Sequence, residues 1–150
     1  MKFIADHMLG KLAKWLRFLG YDTIYPDNIN DEKIAEIAAD EGRIILTRDC
    51  QLSQTKRAKA IYIESDNLQE QINQVVAQLH LSDELCFTRC AECNSLIEPI
   101  EKESIKNKVP EGVLKLQNEF YVCKICGRIY WKGTHYKNIE RRIRHIFSKE

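Results

Sequence analysis

The 150-residue sequence predicts an α/β domain with a parallel sheet, followed by a C-terminal four-cysteine zinc ribbon. Two observations lead there. Short apolar runs alternate with segments of helical periodicity as far as Leu79, the pattern of parallel strands covered on both faces. Beyond them stand two Cys-x-x-Cys pairs, Cys90/Cys93 and Cys123/Cys126. The expected division is a core over 1–83 and a ribbon with a basic C-terminal helix over 84–150.

Residues 2–5 form an apolar run, a buried strand that stops at Asp6. Leu9, Leu12, Ala13, Leu16 and Leu19 then recur on one helical face, and Gly20 suits the helix end. Thr23-Ile24-Tyr25 reads as a second strand, closed by Pro26. Asp31 suits the N-cap of a helix to Glu41, with Ile34, Ile37 and Ala38 facing the core and Gly42 ending it. Arg43 to Thr47 is a third strand, a short helical piece spans 50–56, and Ala60 to Glu64 is a fourth strand. Leu68, Ile72, Val75, Val76 and Leu79 mark another amphipathic helix. Residues 81–89 connect to the ribbon, where Pro99 and Pro110 punctuate strand or irregular structure. From Asn138 to Phe147, Ile139, Ile143, Ile146 and Phe147 make an apolar stripe beside Arg141, Arg142 and Arg144.

The cysteines are the most specific chemical signal. Four thiolates satisfy tetrahedral zinc, and a two-residue gap lets each knuckle wrap the ion with two sulfurs. The 29 residues between the pairs exceed a compact finger loop and suit the strands of a ribbon. Four cysteines leave no open coordination position, so Zn²⁺ bound there holds structure and does no chemistry. Cys50 and Cys86 have no paired spacing.

Composition narrows the class further. The chain is 44% hydrophobic and 30% charged, which excludes disorder, and no apolar run is long enough to span a membrane. The N-terminal residues lack the apolar stretch of an export signal, so a cytoplasmic setting is expected. The net charge of +1 conceals an asymmetry: residues 1–89 carry 11 basic and 14 acidic side chains, and residues 90–150 carry 12 and 8. An acidic part joined to a basic part suits a nucleic acid gripped by one and cut by metal-holding carboxylates of the other, and equally suits ordinary solvated surface. Gly-x-Ser-x-Gly, Gly-x-Gly-x-x-Gly and phosphate-loop motifs are absent from the sequence.

Where the carboxylates fall is informative. Asp6 follows the first predicted strand, Asp31 opens the helix after the second, Asp49 follows the third and Asp66 the fourth. In a parallel sheet these positions share the carboxyl-terminal edge, where such folds place their sites. Gathered carboxylates repel unless a cation neutralises them, and oxygen donors without His or Cys favour Mg²⁺ or Mn²⁺. Each acid also has a local reading: Asp31 as a helix cap, Asp49 as a turn residue, Asp66 as part of a Ser65-Asp66-Asn67 cap. Asp6 is the hardest to explain by structure alone. Asp22 and Asp27 read as loop residues.

Three segments together are similar to a known family. They are Phe3-Ile4-Ala5-Asp6, Met8 through Asp22 (Met-Leu-Gly-Lys-Leu-Ala-Lys-Trp-Leu-Arg-Phe-Leu-Gly-Tyr-Asp), and Gly42 through Asp49 (Gly-Arg-Ile-Ile-Leu-Thr-Arg-Asp). They resemble the PIN-like ribonuclease family named after the C-terminal ribonuclease domain of the Mut-seven exonuclease. That family also carries two Cys-x-x-Cys knuckles and a following Tyr-Trp-x-Gly-Ser/Thr-His stretch, here Tyr130 to His135. The resemblance implies a PIN-like core, an appended zinc ribbon and metal-dependent RNA hydrolysis. By position it makes Asp6 the first acid, Asp31 the middle one and Asp49 the acid of a Thr-x-Asp motif, with Asp66 as a fourth.

The expected function is therefore a metal-dependent ribonuclease. Asp6, Asp31 and Asp49 would hold Mg²⁺ or Mn²⁺ with Asp66 assisting. Arg48 would meet the scissile phosphate, Lys11 and Arg17 flanking ones, and Arg141, Arg142 and Arg144 would extend the RNA track. Two other readings stay open: a catalytically degenerate module that binds RNA or a ribosome, and a toxin-like nuclease.

Overall fold

The computed structural model describes residues 1–148; residues 149 and 150 of the expected ribbon segment lie outside the described residues. The chain forms two compact units, Met1–Asn94 and the part from Ser95 onward.

The first unit is built on four parallel strands, β1 (Lys2–Ala5), β2 (Asp22–Ile24), β3 (Arg43–Thr47) and β4 (Ala60–Tyr62), in the order β2-β1-β3-β4. Helices α1 (Gly10–Phe18), α2 (Asp31–Glu41), α3 (Cys50–Ser53) and α4 (Leu68–Leu79) connect and cover them. Strand alternation sends Ile4 and Ile45 to one face. There they cluster with Ile34, Ala35 and Ala38 of α2 and Leu52 of α3. Helices α1 and α4 pack against each other and bury Leu12, Leu16, Ile72 and Val75 completely. A chain that steps from β1 to β2 on one side and returns to β3 on the other puts α1 and α2 on opposite faces, because such crossovers are right-handed. That return also makes the gap between β1 and β3 the topological switch point of the sheet.

Local chemistry sets the element ends. Asn30, not Asp31, caps α2: its side chain accepts from the Lys33 amide at 2.9 Å, and Asp31 is the first helical residue. Asp49 caps α3 and Asn67 caps α4. The short helix after β3 covers only Cys50–Ser53, and β4 stops at Tyr62. Gly20, at φ +93°, follows α1; a Cβ there would lie 2.1 Å from the Leu85 carbonyl oxygen. Only glycine fits both that backbone and that approach.

Asp22 belongs to β2, not to a loop, and its carboxylate pairs with Arg43 at 2.7 Å. The residues around the first knuckle also pack on this unit. Strand β2 is an edge, and both outward backbone groups of buried Thr23 are taken by side chains. Its amide donates to Asn94 Oδ1 and its carbonyl accepts from Arg17 Nε, each at 2.8 Å. Arg17 Nη1 also donates to the carbonyls of Ala91 and Glu92, and Lys14 pairs with Glu92. The edge is thus closed to further strand pairing.

The second unit carries an antiparallel sheet of β5 (Glu98–Ile100), β6 (Phe120–Val122) and β7 (Ile129–Tyr130), in that order. Ile105, Val109 and Phe120 form its small core, with Val113, Leu114, Ile129 and Trp131 against it. A 3-10 turn at Lys102–Ile105 and α5 (Glu111–Leu116) were not legible beforehand. The last helix, α6 (Thr134–Phe147), begins four residues before the expected start and buries Ile139, Ile143 and Ile146. No helix among the described residues is long and apolar enough to cross a membrane.

Candidate functional site

Asp6 and Asp49 lie just past the carboxyl ends of β1 and β3, the two strands that flank the switch point. The Asp6 amide donates to the Leu46 carbonyl at 3.0 Å, which extends the β1–β3 ladder to the site. Asp6 is 3% exposed. Its Oδ2 accepts from the Thr47 hydroxyl at 2.8 Å, and its Oδ1 accepts from the His7 amide at 2.7 Å and faces His7 Nδ1 at 2.9 Å. Thr47 is fully buried, and its Oγ1 accepts from the Asp49 amide at 2.9 Å. One hydroxyl therefore ties the first acid to the backbone of the other. The sequence points to Thr47 only as part of a motif. Its signal was the Thr-x-Asp spacing, with Thr at the last strand position.

Asp31 opens α2 and comes within hydrogen-bond reach of Asp49. Burial, the hydrogen bond with Asp49 and the charges of Asp49 and Asp6 raise the Asp31 carboxyl above its ordinary range, against a smaller opposing effect of His7. Asp49 moves the other way. The amides of Gln51 and Leu52, which it caps, stabilise its anion, and Asp31 and His7 add to this against desolvation. The opposed shifts make Asp31 the carboxyl of the pair that gives up its charge more readily, and a cation beside them would relieve the same repulsion.

The three carboxylates interact without forming a finished cage. Among the described residues, the four cysteines are the group of three or more ligating side chains close enough to share an ion. The donor set of Asp6, Asp31 and Asp49 is nevertheless all oxygen, which suits Mg²⁺ or Mn²⁺. Asp66 lines a depression with Arg48, Glu64, Ser65, Glu70 and Gln74, and it is not among the strongest influences on Asp31 or Asp49.

Cys90, Cys93, Cys123 and Cys126 hold their sulfurs within 4.8 Å of one another. Tetrahedral zinc with bonds of about 2.3 Å separates its sulfurs by about 3.8 Å, so these residues fit the ion. No cysteine is in a disulfide. Cys90 Sγ accepts from the Cys93 amide, and Cys123 Sγ lies 3.2 Å from Ser95 Oγ. Burial raises the Cys123 thiol, but hydrogen bonds from Ser95, the Cys126 and Ile125 amides and the Cys126 side chain outweigh it and bring it to about 6. Such donors prepare the thiolate a metal requires. The cluster is a zinc-binding arrangement, as expected for the ribbon.

The basic residues divide. Arg17 is committed to backbone carbonyls of its own unit. Lys11 and Arg141 are exposed, and Arg144 pairs with Glu140 on α6 at 3.0 Å. Arg142 is exposed on the same helix. Arg48 follows Thr47 directly, is partly buried, and has an Nη1 without a hydrogen-bond partner.

A family model described as Mut7-C RNAse domain matches residues 1–143. No protein of curated function matches the chain.

Proposed function

The chain belongs to the Mut7-C RNAse domain family, and from that premise we propose that it is a PIN-like, metal-dependent ribonuclease whose reacting centre is the edge formed by Asp6, Asp31 and Asp49. The observation that carries the reading is the pair of acids beyond adjacent parallel strands at the switch point, linked through the Thr47 hydroxyl.

These carboxylates would hold a divalent ion, which would supply an acidified water and neutralise charge on the phosphoryl oxygens. The residues do the rest. Thr47 fixes the Asp6 carboxylate against rotation. The α3 amides keep Asp49 anionic. Asp31, whose carboxyl is raised above its ordinary range by burial and the neighbouring Asp49, would hold the ion as an anion beside Asp49. Lys11 and the exposed basic residues of α6 contribute phosphate contacts. The zinc ribbon is structural. Arg17 is reassigned from RNA to the packing of the first knuckle, on the strength of its carbonyl partners.

The test is cleavage of mixed structured and single-stranded RNAs by zinc-loaded protein with Mn²⁺, Mg²⁺ or neither, beside Asp49→Asn. Metal-dependent cutting that the variant loses is the expected result. RNA retained in a gel shift without cutting under any metal would replace this reading with that of a binding module.

A further inference from the structure

The depression beside Arg48 is chemically unlike the aspartate edge. It is an open depression of about 550 Å³ lined only by polar and charged residues, Arg48, Glu64, Ser65, Asp66, Glu70 and Gln74. Several lining groups are already occupied. The Gln74 side-chain amide donates to the Tyr62 carbonyl and to Gln78, and its oxygen accepts from the Glu64 amide. The Ser65 hydroxyl donates to Glu70 and accepts from the Asn67 amide. Three groups remain open. The carboxylates of Glu64 and Asp66 have no partner among the described residues, and Arg48 Nη1 is sealed from solvent without a hydrogen bond. An orphaned buried donor is unfavourable, and turning the guanidinium into the depression onto a ligand would relieve it.

The charge balance selects the ligand. Three carboxylates against one guanidinium repel a phosphate, and the guanidinium disfavours a bare cation. The lining asks for a neutral, planar group with acceptors on one edge and donors on another. Guanine has that pattern: O6 and N7 match an arginine fork, and N1–H and the N2 amino group donate to a carboxylate.

We propose that this depression is a guanine-reading subsite, with Arg48 on the O6/N7 edge and Glu64 or Asp66 on the N1/N2 edge. It rests on the ribonuclease reading only in taking the base from RNA. Asp66 then selects the nucleotide and takes no part in holding the catalytic ion, and Arg48 reads a base instead of the scissile phosphate.

The test uses fluorescein-labelled hexauridylates carrying one central guanosine, inosine, 7-deazaguanosine or adenosine. Their binding to the zinc-loaded full chain is followed by anisotropy without added Mg²⁺ or Mn²⁺. Guanosine should bind about 10-fold tighter than adenosine, with inosine and 7-deazaguanosine between them. Replacing both Glu64 and Asp66 by alanine should erase the guanosine–inosine difference, and Arg48→Met, which removes every donor to N7, the guanosine–7-deazaguanosine difference. Circular dichroism would verify that each variant is folded. Equal binding of all four oligonucleotides, binding of none, or an equal loss for all four in Arg48→Met would overturn the subsite. A parallel cleavage assay with Mn²⁺ separates the two ideas. Guanine discrimination without cleavage sinks the nuclease reading alone, and cleavage indifferent to guanine sinks the subsite alone.

Discussion

The two sets of ligating residues differ in how complete they are before any ion arrives. The four cysteine sulfurs already lie within 4.8 Å of one another, whereas the three aspartates are not gathered as closely, and burial together with the neighbouring Asp49 raises the Asp31 carboxyl. The difference follows from charge. Despite the burial of Cys123, the Ser95 hydroxyl and the Cys126 and Ile125 amides stabilise its thiolate and bring the thiol to about 6, so the fold itself offsets the charge there. Carboxylates are anionic at neutral pH and resist assembly until a cation joins them. On the proposed reading, the cysteine site completes the fold and the aspartate edge takes up its ion with the substrate.

The largest expected effect tests the cysteine side. Removing zinc with a chelator, or Cys90→Ser, should lower the thermal midpoint by more than about 10 °C and abolish the melting transition of the ribbon unit, since structural zinc in small domains is worth on the order of 10 kcal/mol. Metal analysis and circular dichroism would measure it. Mg²⁺ at millimolar concentration should move the same midpoint by under about 2 °C, because a loosely held ion adds little by mass action. A magnesium shift as large as the zinc shift would erase the comparison.

The acidic side should show the reverse. Asp49→Asn retains a side-chain oxygen for the α3 cap and removes an anion from a repelling set. We expect cleavage to fall at least about 10³-fold with the zinc content and melting midpoint unchanged. Asp31→Asn should lose less activity, because burial and the neighbouring Asp49 already make its anion the less favoured of the pair. Equal loss of fold and activity in Asp49→Asn would show that the edge is structural.

Much of this contrast was legible in the sequence, for reasons that also explain what was missed. Asp6 and Asp49 stand where apolar runs stop, and an acid directly after a buried strand announces the sheet edge. The cysteine spacing is stated by the ligand chemistry itself. Asn30 and Asp31 are both capping residue types, and periodicity cannot choose between neighbours. Helix α5 buries none of its residues, so it left no apolar period to find. The first turn of α6, Thr134 to Lys137, is likewise without an apolar stripe. Arg17 read as a solvated or RNA-facing side chain because two of its carbonyl partners lie more than 70 residues further along. Thr47 looked like one more β-branched strand residue until its hydroxyl was seen between the two acids.

Thr47 sharpens the comparison at intermediate scale. Thr47→Val keeps the shape and removes the hydroxyl that donates to Asp6 and accepts from the Asp49 amide. Leaving those groups unpaired should cost roughly 1–3 kcal/mol of stability. Cleavage at saturating RNA should drop about 10–100-fold, with a higher Mn²⁺ requirement and unchanged zinc content. Recovery of activity in Thr47→Ser would identify the hydroxyl as the positioning group.

The smallest effect concerns a carboxylate that is fully partnered, unlike those of the acidic edge. Burial pushes Asp22 up, but hydrogen bonds from Arg43 and Asn94 and the charges of Arg43 and Arg89 outweigh it and hold the carboxyl below its usual range. A depressed carboxyl stabilises the fold above its unfolded pKa of about 3.9, and that contribution fades as pH falls through the lower folded value. Denaturant unfolding from pH 7 to pH 2.5 should therefore show a loss of stability below about pH 4. Asp22→Asn should already lack roughly 1.5–3 kcal/mol at pH 7, and its acid dependence should be correspondingly shallower. Because Asn94 also holds the edge of β2, the same substitution should weaken the packing of the first knuckle on its own unit. Amide exchange at Thr23 would report that loosening. A wild-type profile no steeper than that of the variant would mean that the Asp22 pairing does not couple the cysteine knuckle to the sheet.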